Sequence, residues 1–325
     1  MESIRLGNSG LKVSRLCLGT MTFGSQCSEE QSRSILDAAA ELGIFFIDVA
    51  DVYPAPTGPS TWGLSEEIVG RWLASAGREK FVLATKCVNR VGAGANDLGG
   101  SRKHVIEACE ASLRRLQTDR LDLFYLHHSD LEAPLEEALE ALDRLVQDGK
   151  VLYPAVSNFE AWQLGLAHGI QRERGLAPLA AVQPRYNLLN RSYERDLLPL
   201  ATALGAGVVP YNPLGAGVLT GKYKRGEEPP EGSRFAAGDF GRLYRGRYWS
   251  DPMFDAADEV AAVARELGMT PAQVAVGWLL AQPPVTSPIV GATRPEQLHD
   301  VAGALERPLP EAAVRRLSDA TLGFR

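Results

Sequence analysis

A single α/β domain covering residues 1–325, a (β/α)8 TIM barrel with an N-terminal β-hairpin and long βα loops, is predicted by three observations. Strand-like apolar runs alternate with helical patterns from one end of the chain to the other, as in a parallel α/β protein. Eight such units occur with no linker-like shift of composition between them, which favours closure into one barrel over an open doubly wound sheet. Polar residues interrupt the apolar strands at their C-terminal ends, and in a barrel those ends converge on one mouth.

The elements follow in order. In IRLGNSGLKVS, Gly7-Asn8-Ser9-Gly10 separates two short strand candidates, the pattern of a hairpin. Strand 15–20 then pairs with helix 28–42, 45–50 with 64–76, 81–87 with 101–117, 121–128 with 134–148, 152–158 with 159–174, and 179–187 with 193–204. Strand 207–214 precedes helices near 253–267 and 271–282, and strand 285–291 precedes helix 294–303. Ser28, Ser101 and Thr270 stand where N-caps are wanted, and Gly43, Gly149 and Gly268 where helices should stop. Several strands are nearly continuous apolar runs, as expected when both faces are covered. Two long connections, 54–64 and 215–250, each follow a strand and precede a helix. They therefore share the C-terminal rim, where active sites of this fold are built.

The bulk numbers exclude several classes of function. With 45% hydrophobic and 23% charged residues the chain can bury a sizeable core, and a net charge of −6 argues against neutralising nucleic-acid phosphates. The opening MESIRLGNSGLKVSRL is too polar for a signal peptide, and no apolar run approaches the ~18 residues of a membrane span, so a cytoplasmic protein is expected. Cys17, Cys27, Cys87 and Cys109 lack ligand-like spacing, so we expect reduced, buried thiols and no metal site. A homo-oligomer is left open.

Asp48, Lys86, His127, Ser157, Asn158 and Gln183 sit within or at the ends of otherwise apolar strands. Singly, each has a plain reading: a cap, a snorkelling lysine, a satisfied core histidine. Together, at the ends of strands two to six, they make a working set. A buried Lys86 needs a counter-charge, which Asp48 can supply. An ammonium beside a tyrosine stabilises the phenolate, lowering a reference pKa of about 10 toward the working range. Tyr53 is close enough in sequence to Asp48 to return its hydroxyl over the barrel, where a tyrosine so tuned is a general acid. His127 can orient a carbonyl or pass a proton, whereas His128 points to the other side of the strand and reads as packing or rim.

At these residues the sequence resembles the aldo-keto reductase family over essentially its whole length. The matching segments are FFIDVADVY with LSEEIVGRWL, LATK, DLFYLHHSD, AVSNF, VQPRYN and VPYNPLGAGVLTGKY, in that order. The resemblance implies NADPH-dependent reduction of an aldehyde or ketone, without a metal. It places the catalytic tetrad on Asp48, Tyr53, Lys86 and His127. It also implies that Ser157, Asn158 and Gln183 hold the nicotinamide carboxamide, that Tyr211 stacks on the ring, and that Thr20 and Met21 line the same site. Asn212, Pro213, Leu214, Gly215, Gly217, Leu219, Gly221 and Lys222 would follow the pyrophosphate, although the glycine-rich GAGVLTG alone reads equally as a flexible loop. No GxGxxG follows a first strand, so a Rossmann cofactor site is not supported.

The departures are informative. Where family members grip the 2′-phosphate with a Lys-Ser pair, this chain has Gly291-Ala292, then Thr293 and Arg294; Val301 replaces an asparagine that usually meets adenine, and Val49 replaces a threonine. The chain thus looks like the aryl-alcohol dehydrogenase-like and channel β-subunit-like branch, with Arg234 and Arg294 as phosphate partners and Gly291, Thr293, Gln297 and Asp300 on the adenosine side. Phe23, Trp62 and Trp249 are expected in the substrate pocket, and residues 223–249 as a mobile cover. Two alternatives are weighed. A ketosugar-nucleotide reductase would use Arg225, Arg234, Arg242, Arg245 or Arg247 for a diphosphate, against the plainer reading of solvated charge. An NADPH-binding regulatory subunit would suit a chain that had lost its histidine, and His127 is present.

Overall fold

The computed structural model describes residues 1–56 and 58–325; Thr57, in the expected loop 54–64, lies outside the described residues. The chain opens with an antiparallel hairpin, β1 (Ser3–Arg5) and β2 (Lys12–Ser14). Eight parallel strands follow: β3 (Cys17–Gly19), β4 (Phe46–Asp48), β5 (Val82–Cys87), β6 (Leu121–Leu126), β7 (Val151–Ser157), β8 (Ala181–Gln183), β9 (Gly207–Val208) and β10 (Ile289–Gly291). Their hydrogen-bonded order is β10-β3-β4-β5-β6-β7-β8-β9. The Thr286 amide donates to the Val208 carbonyl and the Ile289 amide to the Pro210 carbonyl, both at 2.8 Å, which brings the two ends of this order together. The fold is a (β/α)8 barrel of the α/β class.

Helices α1 (Glu29–Glu41), α2 (Leu64–Ala76), α3 (Arg102–Leu116), α4 (Leu135–Gln147), α5 (Ala161–Arg174) and α6 (Leu197–Leu204) alternate with the strands. After β9 come α7 (Gly238–Tyr248), α8 (Asp251–Leu267) and α9 (Pro271–Leu280), and after β10 come α10 (Pro295–Glu306) and α11 (Glu311–Ala320). The anticipated caps are in place. Ser28, Ser101 and Thr270 accept from Gln31, His104 and Gln273 amides, and Gly43, Gly149 and Gly268 take positive φ just beyond their helices. Several strands are shorter than their apolar runs. Pro184, Pro210 and Pro288 have no amide hydrogen to continue a ladder, so pairing stops or starts beside them.

Side chains alternate between two apolar compartments, as a strand period of two requires. Cys17, Phe46, Val82, Ala84, Leu123, Tyr125, Ala155, Ala181 and Val209 fill the lumen, joined by Leu6 and Val13 of the hairpin. Leu18, Ile47, Leu83, Phe124, Leu126, Val156, Val182 and Val208 face the helices. Val49 falls in this outer compartment, so its replacement of threonine is plain packing. Continued upward, the inward parity selects Asp48, Lys86, His127, Ser157, Gln183 and Tyr211.

The segment after β9 departs from expectation. Residues 238–248 contain three glycines, each costing about 1 kcal/mol against alanine in a helix interior, so pattern alone does not reveal α7. Burial of Tyr244 and Tyr248 overrides that propensity. With Tyr223 and Phe235 these rings belong to the main core, Phe235 lying 5.0 Å from Tyr223 and 4.8 Å from Trp249 between ring centres. Within the stretch expected as a mobile cover these rings are anchored in the core, and Trp249, 5.2 Å from Phe254, packs beside them.

Candidate active site

Asp48 ends β4, Lys86 lies one residue from the end of β5, and both are sealed from solvent. The Lys86 ammonium donates to Asp48 Oδ1 and, at 2.7 Å, to the Val49 carbonyl. Asp48 Oδ2 accepts from Gln183 Nε2 at 2.9 Å. Lys86 Nζ sits 4.9 Å from the centre of the Tyr53 ring, and His127 meets that ring edge-on, centres 5.9 Å apart. Four residues from three strand ends therefore share one point above the lumen.

Burial opposes the charge on Lys86, but Asp48 and then Tyr53 outweigh it and hold the ammonium protonated. Tyr53 corrects the sequence expectation. Lys86 does pull its phenol downward, yet burial is the larger influence and Asp48 adds to it, so the phenol lies above its ordinary value. Tyr53 is thus a fully protonated donor at neutral pH. Burial, then Lys86, then His128 push the His127 imidazole well down, so it is neutral. Its Nδ1 pairs with the Asn89 side-chain amide at 2.7 Å.

Around this point the strand ends are laced together. Ser157 Oγ donates to the Gln183 carbonyl at 2.9 Å, and Asn158 Nδ2 to the His127 carbonyl at 2.8 Å. Tyr211 donates to Asn158 Oδ1 at 2.7 Å. Gln183 spends one of its two NH2 hydrogens on Asp48. Thr20 Oγ1 donates to the Asp48 carbonyl, and Ser65 Oγ to the Thr20 carbonyl, each at 3.0 Å. The Ser65 amide in turn holds the Tyr53 carbonyl at 3.3 Å, so the first turn of α2 anchors the tyrosine loop. Met21 does the same from the other side, its carbonyl accepting from Ala55.

Beyond β9 the chain forms a cradle. Asn212 Oδ1 accepts from the Ala216 amide at 2.9 Å, while Asn212, Gly215, Ala216, Gly217 and Gly221 all take positive φ. A Cβ on Gly217 would come within 2.7 Å of Lys222 Cε, so the lysine stem lies against this backbone. Burial, then Arg234, then Arg294 push the Lys222 ammonium down. Arg234 and Arg294 both bear on Lys222, with Arg294 also paired to Glu296 at 3.8 Å, and this cluster of cations fits a phosphate-bearing group. Gly291 ends β10, paired with Gly19 of β3, and Thr293 closes onto Gln297, whose Oε1 accepts its amide at 2.8 Å.

Other expected residues are engaged elsewhere. Phe23 is fully buried in the outer core. Asp300 accepts from Thr270 Oγ1 at 2.9 Å, which ties α10 to the cap of α9. Trp62 stays half-buried on its loop. Leu219 is fully buried packing and Leu214 partly so, leaving Pro213 as a turn residue beside them. Arg225, Arg242 and Arg245 pair with Asp255, Asp239 and Glu228. A diphosphate would have to displace those partners.

The structure adds residues that pattern reading passes over. Tyr125, inward below His127, lies beneath Asp48, and burial followed by that charge pushes its phenol far up. Glu66 of the LSEE segment is completely buried, accepting from Thr85 and Arg115 at 2.6 Å each. Asn89 stood in a polar loop with no signal beyond its closeness to Lys86. The four cysteines are buried and unpaired, and no described helix is long and apolar enough to cross a membrane.

Comparisons with known proteins agree with this geometry. The model of the Aldo/keto reductase family matches residues 15–321. The chain is 39% identical to an uncharacterized oxidoreductase, YrpG, of Bacillus subtilis, covering 98% of this chain and 95% of that one. It is 37% identical to a probable voltage-gated potassium channel subunit beta of Arabidopsis thaliana, over 94% and 92% of the two chains. It is 34% identical to the L-glyceraldehyde 3-phosphate reductase of Escherichia coli, over 92% and 86%. With a family match over nearly its whole length and a lumen that ends in paired Asp48 and Lys86 beneath Tyr53, the chain belongs to the aldo/keto reductase family of NAD(P)H-dependent oxidoreductases.

Proposed function

We propose that the protein reduces an aldehyde or ketone to its alcohol with NADPH, and that Tyr53 is the proton donor. The observation that carries this is the protonated Tyr53 phenol standing 4.9 Å over a buried ammonium whose charge Asp48 fixes. NADPH, when bound, supplies the hydride that reaches the carbonyl carbon. The carbonyl oxygen takes its proton from Tyr53, and the phenolate left behind is stabilised by Lys86 across a site too dry to screen it. His127, neutral and edge-on to Tyr53, orients the carbonyl. Ser157, Asn158 and Gln183 hold the carboxamide, with Tyr211 against the ring.

Arg234 and Arg294, the latter paired with Glu296, both bear on Lys222, which favours NADPH over NADH, since an added phosphate would meet several cations there. Arginines paired to carboxylates weigh against a diphosphate-bearing ketosugar. An intact tetrad weighs against a purely regulatory subunit. The test is NADPH consumption with aldehydes, ketones, quinones and ketosugars. Oxidation with a simple aldehyde or ketone, lost in Tyr53→Phe, supports the reading. Tight NADPH binding with no turnover of any carbonyl would favour the binding subunit instead.

A further inference from the structure

We propose that Asn89 is a positioning residue for His127, fixing its proton on Nε2, and that the backbone at Val88 is bent to place it there. The inference rests on the reading of His127 as the residue that orients the carbonyl. Three observations converge on it. The Asn89 side-chain NH2 lies 2.7 Å from His127 Nδ1, and an amide NH2 can only donate. Nδ1 is then the acceptor, and in a neutral imidazole the proton must be on Nε2, the edge away from Asn89. Only that tautomer offers a hydrogen bond to a carbonyl oxygen.

The second observation is conformational. Val88 follows β5 with φ +94°, a region that a β-branched residue enters only when its surroundings compel it. It is held there from both sides. The Gly99 amide donates to the Val88 carbonyl at 2.8 Å, and the neighbouring Cys87 carbonyl accepts from the His127 amide at 3.0 Å. Without this bend the chain would run on along the strand direction, and Asn89 would not turn back across β6. Strained backbone of this kind gathers at working sites.

The third is a lock behind the loop. His104, buried on the first turn of α3, stands behind this loop close to Asn89 and Asn96, and Asp97 closes the loop by accepting from Gly94 at 2.7 Å. Asn89 sits in this closed loop with its side chain pointing at His127. The titratable groups around His127 are Lys86 from β5, Tyr53 and Asp48 from β4 and its loop, His128 beside it, and His104 behind Asn89. None of these supplies an acceptor to Nδ1, so the amide decides the tautomer.

Nitrogen-15 NMR of the full-length, histidine-labelled protein reads the tautomer directly, with His127 assigned by its absence from the spectrum of His127→Gln. The wild type should show Nε2 protonated and Nδ1 bare. Asn89→Ala should mix the tautomers and lower kcat about 10- to 100-fold, as loss of a histidine-orienting partner does at metal sites, while the KM for NADPH stays unchanged. Asn89→Asp should draw the proton to Nδ1 and lose more turnover at neutral pH. Its activity should then recover toward acid pH, where a second proton restores Nε2–H. A wild-type His127 protonated on Nδ1, or an Asn89→Asp protein with the wild-type tautomer and pH profile, would overturn the proposal. If the wild type reduced no carbonyl, the NMR result would still decide the pairing, so the two readings fail separately.

Discussion

Across the mouth of the barrel, the wall from β4 to β7 and the segment after β9 hold their polar groups by different means. In the first, Asp48, Lys86 and His127 occupy inward positions that strand pairing dictates, and each is tied to a neighbouring strand end. In the second, backbone amides and surface cations do the work: left-handed residues from Asn212 to Gly221, then Lys222, Arg234 and Arg294. Under the proposed function, the proton chemistry and the carboxamide would be served by the rigid ladder and the phosphates by the loop, where arginines can vary without disturbing the barrel.

Experiments can break that contrast. Lys86→Met should lower turnover about 10²–10⁴-fold, as loss of acid–base function typically does. It should also destabilise the fold by about 3–5 kcal/mol, because Asp48 is left buried and unpaired. Loss of stability with kcat intact would make Lys86 merely structural. Next in size, Phe235→Ala should cost about 3–5 kcal/mol in denaturant unfolding, since the ring is fully buried among Tyr223, Tyr244 and Trp249. A negligible change would restore the view of 223–249 as a loose cover.

Arg234→Ala and Arg294→Ala should each weaken NADPH binding about 10- to 100-fold and leave NADH nearly unaffected, consistent with a charged hydrogen bond of roughly 1.5–3 kcal/mol. Equal losses for both cofactors, measured by fluorescence titration, would move the arginines to the pyrophosphate or the scaffold. The smallest effect concerns pH. Because the folded His127 imidazole lies well below its ordinary value, kcat should stay flat as pH falls through about 6.5. Stability, fully present above that value, should decline below it, since the unfolded chain binds the proton first. A kcat that titrates near 6.5 would show that His127 is not held neutral.

The alternation of strands and helices and the inward polar residues of β4 to β8 were readable because a period of two needs no knowledge of neighbours. What escaped depends on the third dimension. The direction of the Tyr53 shift is set by enclosure winning over a visible cation, and no sequence pattern measures enclosure. That Phe23 packs in the core and that Asp300 accepts from the α9 cap are contacts only the folded chain reveals. The bend at Val88 that presents Asn89 is stabilised by Gly99, distant in the loop.

The central claim is that the Tyr53 hydroxyl delivers the proton. Single-turnover oxidation of bound NADPH by a simple aldehyde that the wild type reduces tests it most directly, comparing wild type with Tyr53→Phe after titration has shown equal NADPH affinity. The phenylalanine keeps the ring over Lys86 and removes only the acid, so the hydride-transfer rate should fall about 10²–10⁴-fold with affinity unchanged. A rate near that of the wild type would contradict the account and assign the proton to another group.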